Sequence, residues 1–372
     1  MNGLRGEAEN TRGDCVTTAY LNRIATAVPP NDVHESFIRF AQGQLRDDRR
    51  ASLLFRRLAD KGGIEHRYSY FAPANDLDGD VLDSQAFFVR GRFPKTAARM
   101  QFFEAHAPVL AAEAVERLGL NGDRHRISHL LLTCCTGLSS PGLDLELIDR
   151  CGLPGSVERS FLGFMGCYAA INALKLARHI VRSEPESRVL IVNLELCTLH
   201  LKETVDLEQI LSFLLWGDGC AASLVTAEPA GLSLDSFRAL LADDTRELMT
   251  WSIRDSGFDM LLSGQVPTAI HDALSGHIGT ILDGAPVESI DLWAVHPGGR
   301  SVLDAVERAL NLGPAGLSAS REVLRRFGNM SSATVMFVLE ALLRTAPKGA
   351  AGCAMSFGPG LVAETMRFRA VG

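Results

Sequence analysis

Two kinds of apolar pattern alternate along this chain: positions recurring every three to four residues, and short unbroken runs. Residues 17–27 read as a first strand. Behind Asn31 and Asp32, either of which can cap a helix, Val33, Phe37, Phe40, Ala41 and Leu45 follow at helical spacing. Residues 49–61 continue with basic helical character, and 95–120 is the longest helical stretch. The run 129–137 is apolar and closed by Gly137, as a buried parallel strand would be. Helices are then expected at 143–151, 167–181 and 207–215. A buried strand falls at 188–195, and another at 220–227 is entered through the turn Gly217-Asp218-Gly219.

Past Glu228-Pro229-Ala230-Gly231 the same grammar returns: helix 267–282, strand 290–296, helices 301–312 and 333–345, strand 351–357, a turn at 358–360 and strand 361–370. Strands alternating with helices of this length predict an α/β fold of mainly parallel sheets covered by helices. Each half closes with a Gly-x-Gly turn feeding a final strand, an echo that divides the chain into two similar α/β halves, 1–230 and 231–372.

Composition narrows the function. Lys plus Arg number 37 against 44 acidic residues, a net charge of −7, so no global field draws the chain to nucleic acid, though a local basic patch can hold a small anion. With 47% apolar and 22% charged residues the chain is globular and not disordered. No uncharged apolar run approaches the roughly 18 residues of a membrane span. Residues 1–14 read as a loose leader without a signal-peptide core, which predicts a cytoplasmic protein. The eight cysteines, at 15, 134, 135, 151, 167, 197, 220 and 353, show no CxxC spacing. That argues against zinc, a redox motif or a disulfide framework and leaves buried or reactive thiols.

One thiol stands out. In GFMGCYAA a glycine pair delivers the chain into the helix expected from Cys167, where unpaired N–H groups and the helix dipole favour a thiolate. The same residue also reads as a small buried hydrophobe. His296 terminates an apolar strand and precedes Pro297-Gly298-Gly299, the kind of strand end where catalytic groups collect, although a core or surface histidine fits as well. Asn329, in Gly328-Asn329-Met330-Ser331-Ser332, is either a turn residue or a site donor. The basic stretch 55–61 reads as a solvated helix face or an anion-binding one.

GFMGCYAAINALKLA, AVHPGG, FGNMSSA and SFGPG, in this order and at these separations, resemble the type III polyketide synthases, chalcone-synthase-like homodimers of the thiolase fold. The resemblance spans nearly the whole chain and implies two similar α/β halves in an αβαβα layering. It implies Cys167 as acyl-bearing nucleophile, His296 and Asn329 as its triad partners, and 356–360 as the signature loop, with Phe357, Gly358 and Pro359 at the substrate cavity. Ser356 replaces that loop's usual first glycine. Arg57 and Lys61 match positions that hold coenzyme A phosphates; a further basic position falls on Leu54, so the clamp is either reduced or uses Arg56 instead. Trp216 stands where the family places a Phe between substrate tunnel and active-site cavity, Phe258 and Met260 lie near a second such position, and Cys135, Cys197 and Ser212 match small cavity-lining residues.

The implied reaction loads an acyl-CoA starter on a Cys167 thiolate paired with His296. Malonyl-CoA is then decarboxylated to an enolate held by His296 and Asn329, and the extended chain cyclises to a pyrone or resorcinol-type ring, with no metal or redox cofactor. The apolar lining suggests a fatty acyl starter and alkylpyrone or alkylresorcinol products. The alternatives are a ketoacyl-ACP synthase III-like enzyme that condenses once, and a non-catalytic thioester-binding scaffold.

Overall fold

The first half of the chain builds β1 (Tyr20–Ala27), β2 (Asn31–Asp32), α1 (His34–Gln44), α2 (Arg49–Lys61), β3 (Tyr68–Ser69), α3 (Thr96–Leu118), β4 (His129–Cys134), α4 (Leu143–Cys151), β5 (Glu158–Gly163), α5 (Ala169–Ser183), β6 (Val189–Leu196), α6 (Leu207–Leu215) and β7 (Asp218–Thr226). The second builds β8 (Leu232–Leu241), β9 (Met249–Arg254), β10 (Gly257–Leu262), α7 (Val266–Ile281), β11 (Leu292–Val295), α8 (Arg300–Ala309), α9 (Ser318–Phe327), α10 (Thr334–Thr345), β12 (Ala351–Gly358) and β13 (Val362–Ala370). This computed structural model describes residues 17–76, 78–313 and 315–372; the leader and Cys15 lie outside the described residues.

Nine strands form one sheet in the order β11-β12-β13-β8-β1-β7-β6-β4-β5. The two halves meet where β1 pairs with β8, through Tyr20 opposite Ser233 and Leu21 opposite Leu232. From that seam outward the order reads alike on both sides, β1-β7-β6-β4 matching β8-β13-β12-β11, with β5 an extra edge strand.

The expectation of mainly parallel sheets is corrected. Only β4–β5, β4–β6 and β11–β12 are parallel, and the remaining pairs in this sheet are antiparallel. The reason is connection length: Pro359–Leu361 is a single turn, too short for a crossover, so β13 must fold straight back along β12.

Strands buried on both faces explain the unbroken apolar runs. Along β6, Leu190, Val192 and Leu194 pack toward Ala107, Leu110, Ala111 and Ala114 of α3, while Val189 and Ile191 face the opposite way toward Ala170, Ala173 and Leu174 of α5. On the other wing Ala294 and Ala354 join α5 and α10 in that central cluster, whereas Trp293, Val295, Cys353 and Met355 pack with Leu274, Leu303 and Val306 of α7 and α8. The two wings of the one sheet thus enclose α5 and α10 between them, with α3 outside one wing and α7 and α8 outside the other, giving a helix, wing, helix, wing, helix stack. The C-terminal ends of β4, β6, β11 and β12 then present Cys135, Cys197, His296 and Phe357 to one region.

Candidate active site

Cys167 enters this region on a short 3₁₀ turn, Gly166–Tyr168, and the α-helix begins only at Ala169. This corrects the helix start expected at Cys167. Gly166 has φ +74°, a conformation that suits glycine, and a Cβ there would meet Pro359 Cγ at 2.8 Å and Cδ closer still. Gly358 approaches from the other side: a Cβ on it would lie 2.6 Å from the Tyr168 ring and 3.3 Å from Cys167 N. The signature loop therefore rests directly on the backbone that carries the thiol.

His296 leaves the end of β11 with its N–H donating to Met355 O at 2.8 Å. Asn329 is held by its backbone, donating to Leu215 O at 2.8 Å and accepting from Gly217 N–H at 3.0 Å. Its Oδ1 accepts from Ser331 N–H at 2.9 Å, which turns Nδ2 toward Gly298 O at 3.3 Å. Cys167, His296 and Asn329 then line one chamber with Trp216, Met260 and Phe357. A second pocket on the same thiol brings in Cys135, Cys197, Trp216, Trp251, Met260, Ser331 and Pro359. The triad and six of the nine cavity positions expected from the sequence thus line the walls, while Gly358 packs behind them against Tyr168 and the Cys167 backbone.

Two cavity positions are corrected. Ser212 donates to Glu208 O at 2.9 Å and lines an outer groove with Leu211, Leu215, Leu58 and Lys61. At about 100° per residue, positions 208, 211, 212 and 215 share the groove face of α6. Phe258 is stacked on His200 at 4.1 Å between ring centroids and lines neither chamber at Cys167. It lies one strand repeat, about 7 Å, from Met260.

Burial also acts on the charge of the expected pair. Burial pushes the Cys167 thiol up to about 12, and Glu195 nearby adds to the rise; hydrogen bonding at Ser331 and Asn329 opposes it. Burial lowers His296 to about 3, and among the described residues neither of its ring nitrogens has a hydrogen-bond partner. Burial of both groups thus opposes the expected thiolate–imidazolium pair, since desolvation of the two charges works against the helix-end field that the sequence suggested.

Sequence reading missed several wall residues: Trp251, whose Nε1 donates to Cys135 O at 2.7 Å, and Met249, Ile270 and Val302. No local signal marks Trp251; the hairpin β9–β10 folds it in. Glu195 was legible as the one acid inside the apolar strand β6. Its Oε2 accepts from Cys135 N–H at 2.9 Å and Thr136 Oγ1 at 3.0 Å, and its Oε1 accepts from Ser332 Oγ at 2.5 Å. Cys135 Sγ in turn accepts from Gly166 N–H at 3.0 Å. One buried carboxyl thus ties the thiol turn to the Asn329 loop, and burial raises it to about 7.

Lys61 lines the outer groove facing Arg300, which donates to Lys61 O at 3.0 Å and was also missed. Arg57 stands exposed one turn away on α2, with Arg56 and a part-exposed Leu54 beside it. Leu262, Gly298 and Val302 line both groove and chamber, so the groove runs up to Cys167.

Known proteins resemble this chain over most of its length. Residues 7–229 match the family model of chalcone and stilbene synthases, N-terminal domain, and 235–372 that of the C-terminal domain. The chain is 34% identical over 304 residues to the alpha-pyrone synthesis polyketide synthase-like Pks18 of Mycobacterium tuberculosis, covering 78% of this chain and 77% of that protein. It is 32% identical to bisdemethoxycurcumin synthase of Oryza sativa over 93% of this chain and 91% of the other. Among solved structures, PKS-I from the brown alga Ectocarpus siliculosus superposes with a TM-score of 0.86 at 27% identity, covering 97% of this chain and 100% of that one.

Proposed function

We propose how this chain, which belongs to the chalcone and stilbene synthase family and is a type III polyketide synthase, divides acyl transfer from coenzyme A thioesters among Cys167, His296 and Asn329. Family membership supersedes the single-condensation and scaffold alternatives. The observation that carries the assignment is the shared chamber: thiol, imidazole and amide face one space that the groove from Lys61 reaches.

The Cys167 proton passes to His296 as sulfur attacks the acyl-CoA carbonyl, and returns to the departing coenzyme A sulfur. Malonyl-CoA then loses carbon dioxide, and the electron pair moves onto the thioester oxygen. Asn329 Nδ2 and a His296 ring N–H donate to that oxygen; one such donor is commonly worth about 3 kcal/mol. The enolate carbon attacks the acyl-Cys167 carbonyl, the Cys167 sulfur leaves, and the β-ketoacyl-CoA reloads for the next extension. These steps call on no metal or redox cofactor. Arg57 and Lys61, with Arg300 on the facing lip, serve the coenzyme A phosphates.

For the starter we infer a fatty acyl chain and a pyrone or resorcinol-type product. Behind Trp216 and Cys197 lies a further cavity walled by Phe37, Phe40, Phe71, Phe88, Leu201 and Phe213, a lining suited to an alkyl tail. The pyrone activity named for the mycobacterial relative points the same way. A homodimer is proposed through the edge strand β5, which leaves Phe161 exposed near Leu138 and Met165. No helix among the described residues is long and apolar enough to cross a membrane, and we place the enzyme with its acyl-CoA substrates in the cytoplasm.

The test is incubation with malonyl-CoA and acyl-CoA starters of two to about twenty carbons, with mass spectrometry of products. Each buried methylene is worth up to about 0.8 kcal/mol, or about fourfold, so preference rises with length until the cavity fills. A flat profile, or a peak at acetyl-CoA, sinks the alkyl assignment. Asn329→Ala should depress decarboxylation while sparing Cys167 acylation, and His296→Ala should impair both; equal acylation loss in the two contradicts the division.

A further inference from the structure

We propose that the outward face of α2 docks an acidic acyl carrier protein, which delivers its thioester cargo through the groove to Cys167; this rests on the reading of Cys167 as acyl acceptor. Helix α2 turns Phe55 and Ala59 into the protein. At about 100° per residue, Arg50, Leu53, Arg57 and Lys61 fall on the opposite side, with Leu54 at their margin. Leu53 is 59% exposed, Leu54 43% and Leu58 38%. Phe55 and Ala59 already anchor the helix, so these three leucines are largely spared from the core and offer apolar surface to a partner. Interleaved with them are Arg49, Arg50, Arg56, Arg57 and Lys61 against the single acid Asp60, and among the described residues none of these five cations is in an ion pair. In a chain of net charge −7 this face is a local reversal of sign.

Its position supplies the rest of the argument. Leu58, Lys61 and Gly62 form a lip of the groove whose inner end, at Gly298 and Val302, opens on the Cys167 chamber. A thioester donor that threads its arm down this groove leaves its body outside, on α2. When the donor is coenzyme A, that body is a nucleotide, whose phosphates satisfy cations but whose chemistry leaves Leu53 and Leu54 uncovered. An acidic helix with apolar residues between its carboxylates satisfies both kinds of side chain. A carrier protein brings such a body on the same phosphopantetheine arm. The chemistry is unchanged: the acyl carbon forms its bond to Cys167 Sγ, the bond to the carrier sulfur breaks, and that sulfur leaves with the proton taken up by His296. An anionic bilayer matches the charge of the face but holds no thioester, so the groove favours the carrier.

The experiment uses the full chain and compares decanoyl-loaded acyl carrier protein from a type II fatty-acid system with decanoyl-CoA, reading Cys167 acylation by intact-protein mass spectrometry. Acylation from the carrier is expected, slowed by added salt. Arg50→Glu and Leu53→Glu, which lie outside the coenzyme A assignments, should each lower kcat/KM for the carrier by about tenfold while decanoyl-CoA stays within about twofold. Acylation from decanoyl-CoA but none from the carrier overturns the proposal, as does equal loss with both donors. Should the variants instead abolish flotation with phosphatidylglycerol vesicles while carrier kinetics hold, the face is a membrane surface and the proposal falls. Failure of both donors on the unsubstituted enzyme counts against the acyl-acceptor reading itself.

Discussion

Gly166→Ala tests whether contact between the signature loop and the thiol turn sets the nucleophile. Gly166 and Gly360 have nearly the same φ, +74° and +77°, so alanine pays a left-handed cost at each of about 1–2 kcal/mol. Their surroundings differ. A Cβ at Gly360 would meet only Val362 Cγ2 at 4.0 Å, whereas one at Gly166 would overlap Pro359, 2.8 Å from Cγ and nearer to Cδ. Relieving that overlap adds about 1–3 kcal/mol, since overpacking is absorbed only by displacing neighbours. What moves is the Gly166–Tyr168 turn, which also strains the bond from Gly166 N–H to Cys135 Sγ. A shift of about 1 Å in a reacting atom can cost on the order of 100-fold in rate. Gly360→Ala is therefore expected to lose about 1–2 kcal/mol in urea denaturation with near-normal acylation. Gly166→Ala should lose about 2–5 kcal/mol and acylate Cys167 about 100-fold more slowly in rapid quench with decanoyl-CoA. Matching behaviour of the two variants, in stability and in rate, refutes the reasoning.

Three further outcomes follow from the buried groups and the walls. Because burial raises the Cys167 thiol to about 12 and lowers His296 to about 3, iodoacetamide alkylation of the free enzyme should rise about tenfold per pH unit from pH 6 to 9; a plateau across that range would reveal a standing ion pair. Glu195 is raised from 4.5 to about 7, so the unfolded chain releases this proton near 4.5 while the folded chain keeps it, and its contribution to stability falls as pH rises through that window. Glu195→Gln keeps the shape of the network and removes this dependence, so its stability relative to the unsubstituted enzyme should improve between pH 5 and 7 by up to about 3 kcal/mol; a gap independent of pH contradicts the assignment. Trp251→Ala removes a wall of the Cys167 pocket and the bond to Cys135 O, and should move starter preference or product length upward in mass spectra; an unchanged spectrum means that the indole does not bound the growing chain.

The sequence by itself determined the α/β alternation and most element positions, because helical and strand periods are local properties of burial, while Cys167, His296 and Asn329 were singled out together only by the order of motifs in the family resemblance. Helices α2, α4 and α6 fall where their spacing places them, and His296 sits at the end of an apolar strand. Elements without a clear apolar period escaped: the exposed edge strand β5, the hairpin β9–β10 that brings in Trp251, and the basic helix α9. Tertiary structure alone decided what depends on neighbours distant in the chain. Strand direction followed from the length of the Pro359–Leu361 turn and from packing around α5 and α10. Ser212 and Phe258 match cavity positions in sequence, yet the rotation of α6 and the reach of β10 aim one at the groove and the other at His200. The effect of burial was equally invisible: a glycine-led turn suggests a thiolate, but the protein packed around Cys167 and His296 raises the thiol and lowers the imidazole, both against an ion pair.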